Sequence, residues 1–178
     1  MRRNQATMIA FCGMAAALSL VIMLIGGIIP AATYAVPLLC GLINLWVAVE
    51  FGRKPAWTTY AAVAILSLLI DFDKEAAFFY IFFGYYPIIK WRIDRMKGKL
   101  LMKIGIFTVS LVLMYLLLSL LFPLTAAMEE FKEMGMWLTI GFGVVTIISM
   151  LVYDRLLEVL IPLYANRIQP KLKWLHRS

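Results

Sequence analysis

The sequence predicts an all-α, polytopic membrane protein with six transmembrane helices and both termini in the cytoplasm. Three observations lead to this prediction: an apolar composition, six apolar runs separated by helix breakers, and basic residues concentrated in alternate loops. Hydrophobic residues make up 63% of the 178 residues and charged residues only 15%. A soluble domain of this length could not bury so much apolar surface. Residues 1–178 are therefore expected to form a single integral membrane domain.

The predicted spans cover about residues 6–29, 33–51, 56–70, 76–89, 101–122 and 134–153. The first has no charge from Ala6 to Ile29, which is longer than the apolar core of about 7–15 residues in a signal peptide, so we expect a retained span. Pro37 is expected to kink the second span or to lie in its first turn. Pro55 is expected to separate the second span from the third, and an acidic loop to precede the sixth.

The third and fourth predicted spans are short. At a rise of 1.5 Å per residue, about 15 residues reach only about 22 Å, against roughly 30 Å of hydrocarbon. Two full spans are favoured, and a re-entrant hairpin that returns to the same face is the alternative. Either arrangement leaves the orientation of the other segments unchanged.

The orientation follows from the positions of the basic residues. Of the 17 Lys and Arg residues, all except Lys74 and Lys132 lie in the N-terminus, the loop at Arg53, a middle connector, or the region from Arg155 to the end. The connector contains Lys90, Arg92, Arg95, Lys97, Lys99 and Lys103. Loops rich in Lys and Arg stay in the cytoplasm. The protein is therefore predicted to lie in the cell membrane, with anionic lipid rather than nucleic acid facing these charges.

Few residues are suited to catalysis or metal binding. The only histidine is His176, and the cysteines Cys12 and Cys40 lie in apolar runs without CxxC spacing. No ionisable residue is expected near the middle of a span, where ion-coupled carriers usually keep one. We therefore predict a non-enzymatic protein without a catalytic, cofactor or metal site.

Polar residues near the ends of the predicted spans have ordinary structural explanations. Asn44 is expected to make an interhelical hydrogen bond. Charged residues near the inner ends are expected to snorkel or to form local ion pairs. These are Glu50, Asp154, Arg155 and Glu158.

Small residues recur on one face of the first span. Ala6, Ala10, Gly13 and Ala17 are spaced by four, three and four residues, which places them on one side of a helix. Such a face lets the backbone of another helix approach closely. We predict that it is a helix-docking surface, either within the fold or for a partner protein.

Acidic and aromatic residues are expected to meet at the outer ends of the spans. The candidate substrate-binding residues are Tyr34, Asp71, Asp73, Glu75, Phe78, Phe79 and Trp137. A cavity here would have an acidic mouth and aromatic walls, without a fixed positive charge to neutralise a buried anion. The expected ligand is therefore a neutral or cationic small molecule. Alternatively, these rings only pack the bundle and anchor it at the interface.

The chain resembles the S components of energy-coupling factor (ECF) transporters in three features. It has six predicted spans in a short chain, both termini are predicted inside, and its first span contains Ala6-x-x-x-Ala10 and Gly13-x-x-x-Ala17. The resemblance implies a subunit that binds a vitamin-like nutrient from outside. It also implies a transmembrane T component that docks on the first helix and two ATPase subunits as partners. The alternative is a small membrane scaffold resembling the MreD family of cell-shape proteins, which would hold cytoplasmic partners through its basic connector and tail.

Overall fold

In a computed structural model, the protein is all-α, as predicted. The structure describes residues 2–29, 32–70, 73–121, 126–164 and 166, excluding the side chains of residues 2–4, 126–139 and 142. The helices are α1 (Arg2–Gly26), α2 (Ala35–Phe51), α3 (Arg53–Ile70), α4 (Lys74–Phe83), α5 (Tyr86–Asp94), α6 (Lys99–Leu121) and α7 (Ala126–Leu163).

Among the described residues, two helices are long and apolar enough to cross a membrane. One is Gln5–Gly26, with 22 residues and a mean hydropathy of 2.6, and the other is Lys99–Leu121, with 23 residues and a mean hydropathy of 2.5. Ala35–Phe51 is apolar but shorter. Large apolar side chains are exposed on several helices, among them Leu18, Ile25, Leu69, Val112, Leu116, Val145 and Ile148. Apolar surface of this extent is unfavourable in water and indicates membrane association.

A tight turn at Gly52 connects α2 and α3. Gly52 has a φ of +88°, in the left-handed region that glycine adopts without a steric penalty. Its N–H donates to the Ala48 carbonyl and caps α2. Pro37 lies in the first turn of α2, which is one of the two predicted outcomes. Pro55 lies in the first turn of α3 instead of preceding it, because a proline there breaks no intrahelical hydrogen bond.

The fourth predicted span consists of two helices, so the prediction of one helix over residues 76–89 is wrong. α4 ends at Phe83, a turn contains Gly84 and Tyr85, and α5 begins at Tyr86 with Pro87 in its first turn. Pro87 interrupts the helix because it has no N–H to donate and its ring would clash with the carbonyl four residues earlier. Together α4 and α5 extend from Lys74 to Asp94, which is longer than the predicted span.

The predicted acidic loop before the sixth span is largely helical. α7 begins at Ala126 and continues for 38 residues to Leu163. Its backbone includes Glu129, Glu130 and Glu133, which were expected in the loop. The helix of the sixth predicted span, 134–153, thus begins earlier than predicted.

Polar contacts define two ends of the helix bundle. The acidic end consists of Thr33, Tyr34, Asp73, Glu75 and Tyr115. The basic end consists of Glu50, Tyr86, Lys90, Asp94, Lys103, Asp154, Arg155, Glu158 and Tyr164. These contacts place the start of α2, the start of α4 and the later part of α6 at one level. α4 and α5 together run from the acidic to the basic end.

α2 approaches α5 and α7 closely at Gly41. A Cβ added to Gly41 would lie 2.8 Å from the Tyr153 hydroxyl oxygen and 3.5 Å from Pro87 Cγ. The Tyr153 hydroxyl is held in place because it donates to the Leu38 carbonyl at 3.0 Å. Close packing at the centre of the bundle therefore depends on the missing side chain of Gly41.

We expect Gly41→Ala to lower the free energy of unfolding by about 1–3 kcal/mol, the usual cost of overpacking a filled core. The measurement is thermal unfolding of the purified protein in detergent. Gly141→Ala is the matched control, because an added Cβ there has no neighbour within 4 Å and alanine favours a helix. Equal unfolding midpoints for the two variants would show that the space around Gly41 adapts.

Candidate functional site

At the acidic end, the Glu75 carboxylate lies between two phenols. The Tyr34 hydroxyl donates to Glu75 Oε1, and the Tyr115 hydroxyl donates to the same oxygen at 3.4 Å. The two hydroxyl oxygens are 3.5 Å apart. Hydrogen bonds to an ionised acceptor are stronger than neutral ones, so this arrangement holds a negative charge at a defined place between α2, α4 and α6.

Asp73 has a clear structural role beside this cluster. Its Oδ1 accepts the backbone N–H of Ala76 at 3.0 Å, which caps the N-terminus of α4. Its Oδ2 accepts the Thr33 hydroxyl at 2.7 Å. Asp73 therefore ties the start of α2 to the start of α4 and carries negative charge at a helix N-terminus, where the charge is favourable.

The aromatic candidates lie in the interior. Phe78 and Phe79 are buried, and the Phe79 ring stacks on Phe83 at 4.5 Å and meets Tyr34 edge-on at 5.3 Å. The structure thus brings Tyr34, Glu75 and Phe79 together and places Asp73 nearby. Asp71 and the Trp137 side chain lie outside the described part of the chain.

The small-residue face of α1 consists of Ala6, Ala10, Gly13 and Ala17, and all four are exposed. A different face of α1 packs into the bundle through Ala15, Ser19 and Met23. A Cβ added to Gly13 would meet nothing within 4 Å. No described helix of this chain covers the small-residue face.

At the basic end, two lysines are buried among carboxylates. Lys90 and Lys103 are 1% and 3% exposed. Lys90 Nζ contacts Asp154 Oδ1 and lies 3.2 Å from Asp94 Oδ2. Lys103 Nζ lies 2.7 Å from Asp154 Oδ2 and 2.6 Å from Asp94 Oδ1. The Tyr86 hydroxyl donates to Asp154 Oδ1 at 2.5 Å, so the network joins α5, α6 and α7.

Glu158 connects this network to the surface. Its Oε1 lies 3.5 Å from Lys90 Nζ, and its Oε2 accepts from Arg155 Nη1 at 3.0 Å. Including Arg155, three cations face three carboxylates. Oxygens of Asp94, Asp154 and Glu158 lie within 4.8 Å of one another, a donor set suited to a hard cation. The lysine ammonium groups already bridge these oxygens, so the set forms an ion-pair network.

The burial of Lys90 and Lys103 corrects their assignment to an exposed basic connector. The sequence contained signals of this ion-pair network. Lys90 and Asp94 are four residues apart on one helix, as are Asp154 and Glu158, and Lys103 lies within an apolar run. Arg155 and Glu158 form a local ion pair, one of the two predicted outcomes, whereas Asp154 pairs with lysines 51 and 64 positions away.

Two other polar residues near the span ends also have partners within the protein. Asn44 Nδ2 donates to the Tyr80 hydroxyl at 2.5 Å, which confirms the predicted interhelical hydrogen bond. Glu50 accepts the Tyr164 hydroxyl at 2.8 Å. Cys12 and Cys40 are not joined in a disulfide, and the Cys40 thiol donates to the Ser19 carbonyl at 3.4 Å.

The network also sets the protonation of Asp94, at the end of α5. Burial alone would raise the pKa of this carboxyl, but hydrogen bonds from Lys103 and Lys90 lower the pKa below its usual value. A carboxyl with a lowered pKa stabilises the fold at neutral pH. Its contribution is lost only as the pH falls below about 4, through the pKa of the folded state.

We expect Asp154→Asn to destabilise the protein by about 3–5 kcal/mol, because it leaves two buried ammonium groups facing too few carboxylates. The measurement is the unfolding midpoint in detergent. Arg155→Gln is the control on the next residue, since Arg155 is 80% exposed and a surface ion pair contributes about 0–1 kcal/mol. If both variants unfold at the wild-type temperature, the network has no part in holding α5, α6 and α7 together.

No family model, curated protein or solved structure matches this chain.

Proposed function

We propose that this protein is the substrate-binding membrane subunit of an ECF-like importer for a small, vitamin-like nutrient. The observation that carries the proposal is the exposed small-residue face of α1, which no described helix of the chain covers. A transmembrane T component would dock on this face, and two ATPase subunits would complete the complex. The chain itself would have no enzymatic activity.

The proposal includes six membrane crossings, with the acidic end outside and both termini in the cytoplasm. α4 and α5 together would form the fourth crossing. The distribution of basic residues supports this orientation, and so do the contacts that place successive helix ends alternately at the acidic and the basic end. Exposed apolar side chains on α1, α3, α6 and α7 would face lipid.

The small-residue face has the shape that close helix contact requires. Ala10 and Gly13 lie between large exposed side chains, Ile9 and Met14, so the face is a shallow groove along α1. Helices in a bilayer associate through close packing, because lipid removes the hydrophobic drive between them. A partner helix could place its backbone in this groove, whereas lipid chains gain little from it.

The acidic end supplies the proposed ligand site. Glu75, with the hydroxyls of Tyr34 and Tyr115, presents one negative charge and two groups able to form hydrogen bonds. A cationic or neutral polar group could take the place of a phenol at this carboxylate. An anion would meet only repulsion from Glu75 and Asp73, which supports a neutral or cationic ligand.

A membrane scaffold is the second candidate. The observation that favours it is the exposed basic surface of the turn between α5 and α6, formed by Arg92, Arg95, Lys97 and Lys99. Such a surface suits acidic cytoplasmic partners as well as anionic lipid. Cell-envelope proteins would then co-purify with the chain, and transport ATPases would not.

We expect Ala10→Leu to abolish co-purification of transport ATPases and a T component in mild detergent. The thermal stability of the isolated subunit should not change, because Ala10 is exposed. Met14→Leu is the matched control, as Met14 is 64% exposed and already large. Retained partners in Ala10→Leu, or the absence of ATPases from the wild-type sample, would contradict the importer proposal.

We expect Tyr34→Phe and Glu75→Gln to reduce the amount of small molecule that co-purifies. For a cationic ligand paired with Glu75, the loss should be tenfold or more, and a tenfold loss of affinity corresponds to about 1.4 kcal/mol of binding free energy. The amount of bound small molecule is measured by extraction from the purified protein and mass spectrometry. Tyr164→Phe is the control, because that hydroxyl donates to a carboxylate at the opposite end. Phe79→Ala is unsuitable, since emptying a buried ring position costs about 3–5 kcal/mol. Equal ligand loss in the control would assign the effect to the fold.

A further inference from the structure

An apolar groove of about 570 Å³ runs along the side of the bundle between α4 and α6. Ile81, Phe82 and Tyr85 line one wall, and Met102, Gly105, Ile106, Val109, Ser110 and Leu113 line the other. The polar atoms within it satisfy each other, because the Tyr85 and Ser110 hydroxyls are 3.3 Å apart. An apolar occupant therefore fits the groove without leaving a buried polar group unpaired.

The groove has the length of one membrane leaflet. From Met102 to Leu113, α6 rises about 17 Å, close to half of a hydrocarbon core of roughly 30 Å. The groove begins near the basic end, so it would lie in the cytoplasmic leaflet. A partner helix that crosses the membrane would need a groove through both leaflets, whereas a single acyl chain needs only one.

Charge marks the headgroup end of the groove. Lys99 precedes Met102 by three residues, so it lies on the same face of α6 one turn nearer the basic end, where it also lines a second groove between α6 and α7 with Asp154 and Glu158. Lys99 is exposed, as are Arg95 and Lys97 in the adjoining turn. A phosphate at this level would lie near Lys99, with two more exposed basic side chains in the adjoining turn.

We propose that this groove binds one acyl chain of an anionic phospholipid, with the phosphate at Lys99. The site rests on the proposed membrane embedding but is independent of the importer function. Gly105 keeps the groove open, because a side chain there would enter it and meet no described atom within 4 Å of its Cβ. The bound lipid would fill the gap between α4 and α6 and hold the α5–α6 turn against the membrane surface.

The test is native mass spectrometry of the purified protein in detergent, titrated with phosphatidylglycerol or with phosphatidylcholine carrying the same acyl chains. Wild type should bind the first phosphatidylglycerol molecule more tightly than phosphatidylcholine. Lys99→Gln should weaken phosphatidylglycerol binding about fivefold, the equivalent of about 1 kcal/mol for one Lys near anionic lipid. It should weaken phosphatidylcholine binding less, because the choline ammonium group offsets the charge of that lipid's phosphate. Lys54→Gln, an exposed lysine at the start of α3, is the charge control.

Gly105→Leu tests the groove itself. It should abolish the tight phosphatidylglycerol site while leaving the unfolding midpoint without added lipid unchanged. Gly141→Leu adds the same side chain at another exposed glycine with no neighbour within 4 Å, and it should bind lipid like wild type. Equal binding of the two lipids by wild type would overturn the proposal, as would unchanged binding in Gly105→Leu or equal losses in Lys99→Gln and Lys54→Gln.

Discussion

Asp154 is the carboxylate on which the basic end depends. It accepts from both buried lysines and from Tyr86, so one side chain on α7 fixes the positions of α5 and α6. Removing a charge from water costs several kcal/mol even after the protein relaxes, and only close pairing offsets this cost. The basic end is therefore confined to arrangements in which all its charges remain paired. At the acidic end, Glu75 and Asp73 are only partly buried and accept hydrogen bonds from uncharged groups, so the cost of desolvating paired charges is smaller there.

This difference between the two ends suits a protein that receives a ligand at one end and holds its helices together at the other. A ligand group that displaces the Tyr34 hydroxyl from Glu75 loses one hydrogen bond and makes another. Displacing Lys90 from Asp154 would break a buried ion pair and leave each of the two charges with fewer partners. Conformational change is therefore easier near the starts of α2 and α4 than near the end of α5.

Much of the fold could be predicted from the sequence, because apolar runs and helix breakers act locally. α1, α2, α3 and α6 lie close to where hydropathy placed helices, and Pro37 lies in the first turn of α2, one of its two predicted outcomes. The break at Gly84 and Pro87 could not be located, because the apolar run continues through it. In the candidate site, the pairing of Tyr34 with Glu75 depends on residues 41 positions apart, and the burial of Lys90 depends on a partner 64 positions away. No local pattern contains such distances, so composition suggested only a surface lysine.

The sequence separation of Lys90 and Asp154 has a consequence for biosynthesis. At a synthesis rate of about 5–20 residues per second, α5 leaves the ribosome roughly 3–13 s before the carboxylate that will neutralise its lysine. During that interval Lys90 has Asp94 of its own helix as a partner but not the more deeply buried Asp154, so burying α5 is less favourable than in the finished fold. The last helix to be made thus completes the burial of an earlier one. A chain truncated before α7 would leave Lys90 and Lys103 without their most deeply buried carboxylate.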